Sequence, residues 1–191
     1  MRNVFITSSV VLTVAMAFAT TAAGDTYKVD SVHSSVMFRI KHMNVSYSYG
    51  RFNDISGTFS YDSAKPESST FEIQVKTASV DTNNEGRDKH LRSAELFDAE
   101  KHPTISFTSK SVKKSGENKL EVTGDLSFHG VTKPLTTTIE FTGSGPGMRG
   151  ETRGGIETVF TIKRGEFGMN GLKDGLGDEV RLMVSVEGVK K

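Results

Sequence analysis

The sequence of 191 residues contains no cysteine and no tryptophan. The lack of cysteine excludes a thiol nucleophile, a CxxC redox centre and a cysteine-ligated metal site. It also excludes a lipid anchor on a cysteine. An exported domain of this size can do without disulfides if its hydrophobic core is large enough.

An excess of charge of one sign is also lacking, since 24 Lys and Arg residues face 23 Asp and Glu residues. Nucleic-acid binding usually requires a basic surface, so this balance argues against a nucleic-acid partner. The sequence contains no internal repeat, no low-complexity tract and no linker long enough to separate two domains. We therefore expect one folded domain.

The clearest apolar run covers residues 10–19, which is shorter than the roughly 20 residues of a bilayer span. It follows the charged start Met1-Arg2 and precedes the small residues of 20–24. This order is typical of a secretory signal peptide. We expect residues 1–23 to be a cleaved signal, with cleavage after Ala23 or Gly24, and residues 24–191 to be an exported domain without stable membrane insertion.

Alternation of apolar and polar residues dominates the rest of the chain. In 36–41, for example, Val36, Phe38 and Ile40 alternate with polar or flexible side chains. Similar alternation occurs in 71–76, 135–141, 156–163 and 180–187, with weaker runs in 25–30, 49–61, 103–113 and 119–128. A period of two buries one face of a strand. About nine antiparallel strands with short links predict a β-sandwich or an up-and-down barrel.

One segment departs from this alternation and predicts a helix. In 84–97, Leu91, Ala94 and Phe97 recur at helical spacing, and Pro103 stops any continuation. A helix inserted among strands commonly covers an end or an open edge of a barrel.

The alternation leaves the interior of such a barrel undecided. A barrel of about eight strands is either filled by its own side chains or holds one small ligand. Patterning alone favours the filled core. A long lipid would nevertheless suit an interior of Phe, Ile, Val and Leu, because each buried methylene contributes about 0.8 kcal/mol.

Several motifs in order resemble the YceI-like family. They are DSVHSSVMF at 30–38 with KHM at 41–43, GRFNDISG at 50–57, SVDTNNE at 79–85 with RDKHLRS at 87–93, FD at 97–98 with HPTISF at 102–107, GDLSFHGVTKP at 124–134, RGEFGM at 164–169 and DEV at 178–180. The resemblance covers essentially all of the chain after the signal. Residues 143–155 and 171–177 are its least typical parts.

This resemblance implies an all-β protein: an extended, lipocalin-like, antiparallel up-and-down β-barrel with one short helix inserted. It further implies a location in the periplasm and a tunnel that holds a polyisoprenoid chain. We therefore predict a carrier, without cofactor or catalysis, for an isoprenoid lipid such as a quinone or a polyprenyl phosphate precursor. A homodimer is expected from the resemblance alone. The alternatives are an enzyme that acts on a lipid-linked substrate and an interaction or stress protein without a lipid.

Strand parity and the resemblance together predict the lining of the tunnel. The ligand-binding candidates are Phe38, Ile40, Phe52, Phe71, Ile73, Leu91, Phe97, Phe107, Phe128, Phe160, Phe167 and Met169. The candidates for an anionic head group are Arg51, Arg87, His90 and Arg92. These four could instead form a structural ion-pair network with Asp54, Asp88 and Glu95.

Metal and hydrolase chemistry receive less support. The five histidines (His33, His42, His90, His102 and His129) form no HExxH motif and no paired zinc spacing, so we predict no metal site. Asp30, His33 and Ser34 lie close in sequence, but no GxSxG motif accompanies them. We interpret them as a local hydrogen-bond cluster that fixes the first strand.

Overall fold

The computed structural model describes residues 24–191, so the predicted signal peptide lies outside the described residues. This part of the chain forms eleven β-strands and one α-helix, α1 (Glu85–Arg92). The strands are β1 (Asp25–Val29), β2 (Ser35–His42), β3 (Ser46–Phe52), β4 (Ile55–Tyr61), β5 (Thr70–Lys76), β6 (Val80–Asp81), β7 (Thr104–Lys114), β8 (Lys119–Phe128), β9 (Val131–Pro146), β10 (Thr152–Lys163) and β11 (Leu176–Lys190). The run predicted at 49–61 divides into β3 and β4, because the chain turns at Asn53 and Asp54.

Eight of the strands close into a barrel. They pair in the order β1-β4-β5-β7-β8-β9-β10-β11, and β1 pairs with β11 to complete the ring, with Tyr27 opposite Lys190. All of these pairs are antiparallel. The predicted all-β antiparallel barrel with one inserted helix is therefore confirmed.

The long strand β11 joins two parts of the wall. The end of β11 pairs with β1, whereas its earlier part pairs with β2, where Leu182 lies opposite Phe38. Strands β3 and β6 continue the sheet beyond β2. The barrel is thus extended on one side by the β2–β3 hairpin.

The inserted helix is shorter than the helical spacing of Leu91, Ala94 and Phe97 predicted. It begins after Asn84, whose side chain accepts a hydrogen bond from the amide of Arg87, as a helix N-cap does. It ends at Ser93, which has extended backbone, and the amide of Phe97 then donates to the carbonyl of Leu91 in a turn. The predicted helical span to Phe97 is wrong, although Leu91 and Phe97 both reach the interior.

One end of the barrel is filled by aromatic rings. Tyr27 stacks on Phe59 with ring centroids 5.0 Å apart, and Tyr61 stacks on Phe141 at 4.0 Å. Tyr27 and Phe59 are almost completely buried. These four residues, called the aromatic plug below, close this end of the barrel.

Within residues 24–191, no helix is long and apolar enough to cross a membrane.

Candidate functional site

A cavity of about 170 Å³ lies inside the barrel. Its wall consists mainly of Phe, Ile, Leu and Val side chains, which alternate positions along the strands direct inward. Polar contributions come from residues such as Thr137 and Thr158, whose hydroxyl groups hydrogen-bond to each other at 2.8 Å. Because these hydroxyl groups already hydrogen-bond to each other, an apolar ligand can fill the cavity without having to supply hydrogen bonds to them.

Strand register produces a continuous row of side chains across the wall. Phe160 of β10 lies opposite Leu182 of β11, and Leu182 lies opposite Phe38 of β2. All three line the cavity. In β5, β7 and β8, Ile73, Phe107 and Leu126 form a second row by the same pairing.

The segment after α1 closes the side of the cavity between β3 and β8. The Phe97 ring lies 5.6 Å from that of Phe52 and 6.0 Å from that of Phe128, both at steep angles. Such edge-to-face arrangements are favourable for aromatic pairs. Leu91 of α1 adds to the same wall.

The structure brings most of the predicted lining residues together. Eleven of the twelve border the cavity, namely Phe38, Ile40, Phe52, Phe71, Ile73, Leu91, Phe97, Phe107, Phe128, Phe160 and Met169. Phe167 is buried behind them, with its ring 5.5 Å from that of Phe128. Their contact with a ligand stays a prediction.

The four head-group candidates lie outside the cavity lining described for residues 24–191, and each has a partner nearby. Arg87 donates to the hydroxyl and carbonyl oxygens of Thr82, both at 2.7 Å. Nε2 of His90 lies 2.8 Å from a carboxylate oxygen of Glu95.

The two remaining candidates are also engaged. The Arg51 guanidinium donates to the side chain of Asn53 at 2.6 Å and faces Asp81 at 3.7 Å. Arg92 donates to the carbonyl of Val80 at 3.3 Å. A head-group role for these four residues stays a prediction. In the structure, the contacts of Arg87, His90 and Arg92 tie α1 to its surroundings, whereas Arg51 contacts residues next to β3 and in β6.

Arg164 is the functional candidate that sequence reasoning missed. Its side chain is 3% exposed and borders the cavity. It donates to four backbone carbonyls, those of Gly177, Met169, Gly171 and Leu176, at 2.6–3.2 Å. Burial lowers the pKa of this guanidinium from its usual value. The motif at 164–169 was visible in the sequence, but no pattern there marked the arginine as buried.

Arg164 follows the end of β10, where Lys163 pairs with Glu179, whereas Phe141 of the aromatic plug pairs with Ile156 near the start of β10. Arg164 therefore lies at the end of the cavity away from the plug. Arg164, Met169 and Leu176 border both the cavity and an outer depression that includes Asn170 and Lys173. We call residues 164–177 the cover segment. At this end, only a few side chains separate the interior from solvent.

A charged cluster lies at the opposite end, around Arg153. Nη1 of Arg153 donates to Asp30 at 2.8 Å and also to Glu187, while its Nε donates to Glu151 at 2.8 Å. Hydrogen bonds from His33 and Arg153 lower the pKa of Asp30 to about 2. Asp30, His33 and Glu187 lie close enough to hold a metal ion, but the guanidinium already lies between the two carboxylates. The Ser34 hydroxyl donates to the carbonyl of Asp30 at 2.7 Å, as the predicted local cluster requires.

Residues 27–188 match the YceI-like domain. The chain belongs to the YceI-like family. It is 43% identical to a UPF0312 protein of Azotobacter vinelandii over 159 residues, which are 83% of each chain. It is 42% identical to Protein YceI of Escherichia coli over 175 residues, or 91% of each chain.

Solved structures of this YceI-like fold agree with the barrel. BcnA of Burkholderia cenocepacia superposes with a TM-score of 0.76 at 26% identity, over 84% of this chain and 99% of BcnA. The YCEI protein of Campylobacter jejuni gives 0.68 at 32% identity, over 79% and 90%. A polyisoprenoid binding domain from Saccharophagus degradans gives 0.67 at 16% identity, over 86% and 98%, which shows a shared fold.

Proposed function

We propose that the chain is a periplasmic carrier that holds one isoprenoid lipid in the barrel and catalyses no reaction. The apolar cavity carries this proposal, since its wall supplies hydrophobic contact on every side. The fold shared with a domain described as polyisoprenoid binding names the ligand class to try first. The signal-like residues 1–23 support export to the periplasm.

Burial of the hydrocarbon chain supplies the affinity in this proposal. Each buried methylene contributes about 0.8 kcal/mol, so a chain of several isoprene units binds without a dedicated charge. The aromatic plug fills one end of the barrel. We therefore place the polar end of the lipid near Arg164, at the other end.

Arg164 suits either lipid that the proposal includes. Its guanidinium has five N–H groups, and the described contacts use four of them. The remaining N–H can donate to a quinone carbonyl or to a phosphate oxygen. This orientation is part of the proposal.

Native mass spectrometry of the protein purified from the cells that produce it tests the proposal. A bound mass that solvent extraction identifies as an isoprenoid is the expected result. An empty protein that also fails to bind added isoprenoid quinone or polyprenyl phosphate would overturn it.

A pair of substitutions at neighbouring residues tests whether the lipid binds in the cavity. Phe107 lines the cavity, whereas Thr108 on the same strand is exposed. Phe107→Asp should abolish lipid retention and Thr108→Asp should preserve it, because only the first places a charge against the hydrocarbon. Phe107→Ser is the milder variant if the aspartate prevents folding. Equal retention in the variants would contradict the assigned binding surface.

A further inference from the structure

Two loop tips lie side by side at the end of the barrel that carries the cover segment. One is the turn between β2 and β3, at Met43–Val45, and the other surrounds Leu172 in the cover segment. The amide of Met43 donates to the carbonyl of Gly175 at 2.8 Å, and Leu176 pairs with His42. We call residues 43–45 and 172–173 the paired tips.

The paired tips expose apolar side chains to solvent. Met43 is 58% exposed, Val45 83% and Leu172 42%. Single apolar residues are common on protein surfaces. Here three of them occur on two adjoining turns, where polar turn residues usually stand.

Two of these apolar residues have backbone angles that large side chains rarely adopt. Met43 and Leu172 adopt φ angles of 49° and 52°, in the left-handed region. Bulky side chains are outliers there, whereas Gly and Asn are tolerated. The chain thus holds two large apolar residues at positions where they cost conformational energy, which is a feature of functional sites.

Basic and aromatic side chains surround the paired tips. The cationic groups of Arg39 and Lys41 lie 4.3 and 5.1 Å from the centre of the Tyr47 ring, which is itself exposed. Lys173 follows Leu172 directly. The acidic residue Asp174 lies just outside the paired tips, next to Lys173.

The paired tips also border the thin wall of the cavity. Lys173 lines the outer depression, and Arg164, Met169 and Leu176 lie between that depression and the interior. A ligand that leaves the barrel at this end passes next to the tips.

We propose that the paired tips insert into the surface of a bilayer that contains anionic phospholipid. Met43, Val45 and Leu172 enter the boundary between head groups and acyl chains, while Lys41 and Lys173 contact the phosphates. Binding of a protein to the surface of a membrane strengthens with the apolar area that it buries there and with the attraction of its basic residues to anionic lipids. The passage of an isoprenoid between membrane and cavity rests on the proposed function, but the docking itself does not.

The shape of the tips favours a bilayer over a protein partner. Stable protein interfaces bury about 800 Å² on each side and need a broad complementary surface. The paired tips are two narrow turns, which suit penetration of a soft surface. A bilayer is also the source of any isoprenoid lipid that the cavity takes up.

Flotation with lipid vesicles tests the proposal. Purified protein should float with vesicles of phosphatidylethanolamine and phosphatidylglycerol and bind less to phosphatidylcholine alone. The double variant Met43→Asn, Leu172→Asn should lose about tenfold or more of the binding, since both apolar anchors are removed. Its melting temperature should stay equal or rise, because asparagine tolerates the left-handed backbone.

Met148→Asn is the matched control. Met148 is fully exposed, and its turn between β9 and β10 lies at the opposite end of β11, where Arg153 pairs with Val189. This variant should float like the unmodified protein. Equal loss in Met148→Asn, or unchanged flotation of the double variant, would overturn the docking site.

Two further outcomes separate docking from lipid carriage. A protein that retains isoprenoid in native mass spectra but floats with neither kind of vesicle would overturn the docking proposal alone. A protein that is empty and binds no isoprenoid, yet loses flotation in the double variant, would support docking and overturn the carrier. Equal flotation with phosphatidylcholine would overturn the role assigned to the lysines.

Discussion

The Phe38 ring lies across the backbone of Gly50, its register partner on β3, so closely that a Cβ at Gly50 would overlap the ring. Because Gly50 has no side chain, the Phe38 ring can pack directly against the backbone of the sheet. The ring therefore forms part of the cavity wall and does not occupy the cavity centre.

Gly50→Ala should lower lipid affinity, because the added methyl pushes the Phe38 ring into the cavity. Rearranging a packed wall also costs about 1–3 kcal/mol of unfolding free energy. Titration with an isoprenoid quinone and urea denaturation measure the two effects. Gly145→Ala is the control, since open space surrounds that position. Equal behaviour of the two variants would contradict the described wall.

Truncating a wall residue should destabilise the protein less than truncating the aromatic plug. Phe59→Ala should cost about 3–5 kcal/mol of unfolding free energy, because the ring is packed on all sides. Phe160→Ala should cost about 1–2 kcal/mol less, because one face of its half-buried ring already borders the cavity. Urea denaturation of both variants measures the difference. Equal costs would indicate a filled barrel.

Arg164→Met should destabilise the cover segment. Four backbone carbonyls lose their donor, and each buried acceptor without a partner costs about 1–3 kcal/mol. We expect lower unfolding free energy and faster hydrogen exchange of amides in 164–177. Arg164→Lys should recover part of the stability, because its ammonium offers three donors in place of the planar fork. A methionine variant as stable as the parent would show that the carbonyls find other partners.

Acid should weaken the cluster around Arg153. The folded state lowers the pKa of Asp30 to about 2, from the usual value near 4, through hydrogen bonds from His33 and Arg153. The depressed pKa stabilises the folded state above about pH 4, and that contribution is lost as the pH falls towards 2. Urea midpoints measured across this window should fall less steeply in Asp30→Asn than in the parent. Parallel pH profiles would contradict the assignment.

The predicted lining depended on strand parity, and parity was readable because apolar side chains alternate with polar ones. Phe38, Phe107 and Phe160 lie in runs whose inward face is unambiguous. The same rule would have added Leu182 and Val184, which line the cavity too. The end of the helix was harder to predict. Leu91 and Phe97 line the same wall, but Leu91 belongs to the helix and Phe97 to the turn after it.

Arg164 and the four basic head-group candidates show that residue type alone does not locate a basic side chain in the fold. A sequence marks arginines as charged but does not show which is surrounded by carbonyls. Arg164 is buried because residues 169–177 fold around it, whereas Arg87 of α1 donates to Thr82 in the connection just before the helix. Burial of a charge is a property of the assembled neighbours.

By itself, the sequence determined the family, the all-β class, the inserted helix and the inward face of most strands, because these follow from local periodicity and from ordered motifs. Only the tertiary structure decided that β1 closes on β11, that rings fill one end while the other stays hollow, and that Met43 and Leu172 meet on adjoining tips. These features depend on the register between distant strands and on how side-chain volumes fill the closed barrel. Neither quantity is encoded in any single stretch of the chain.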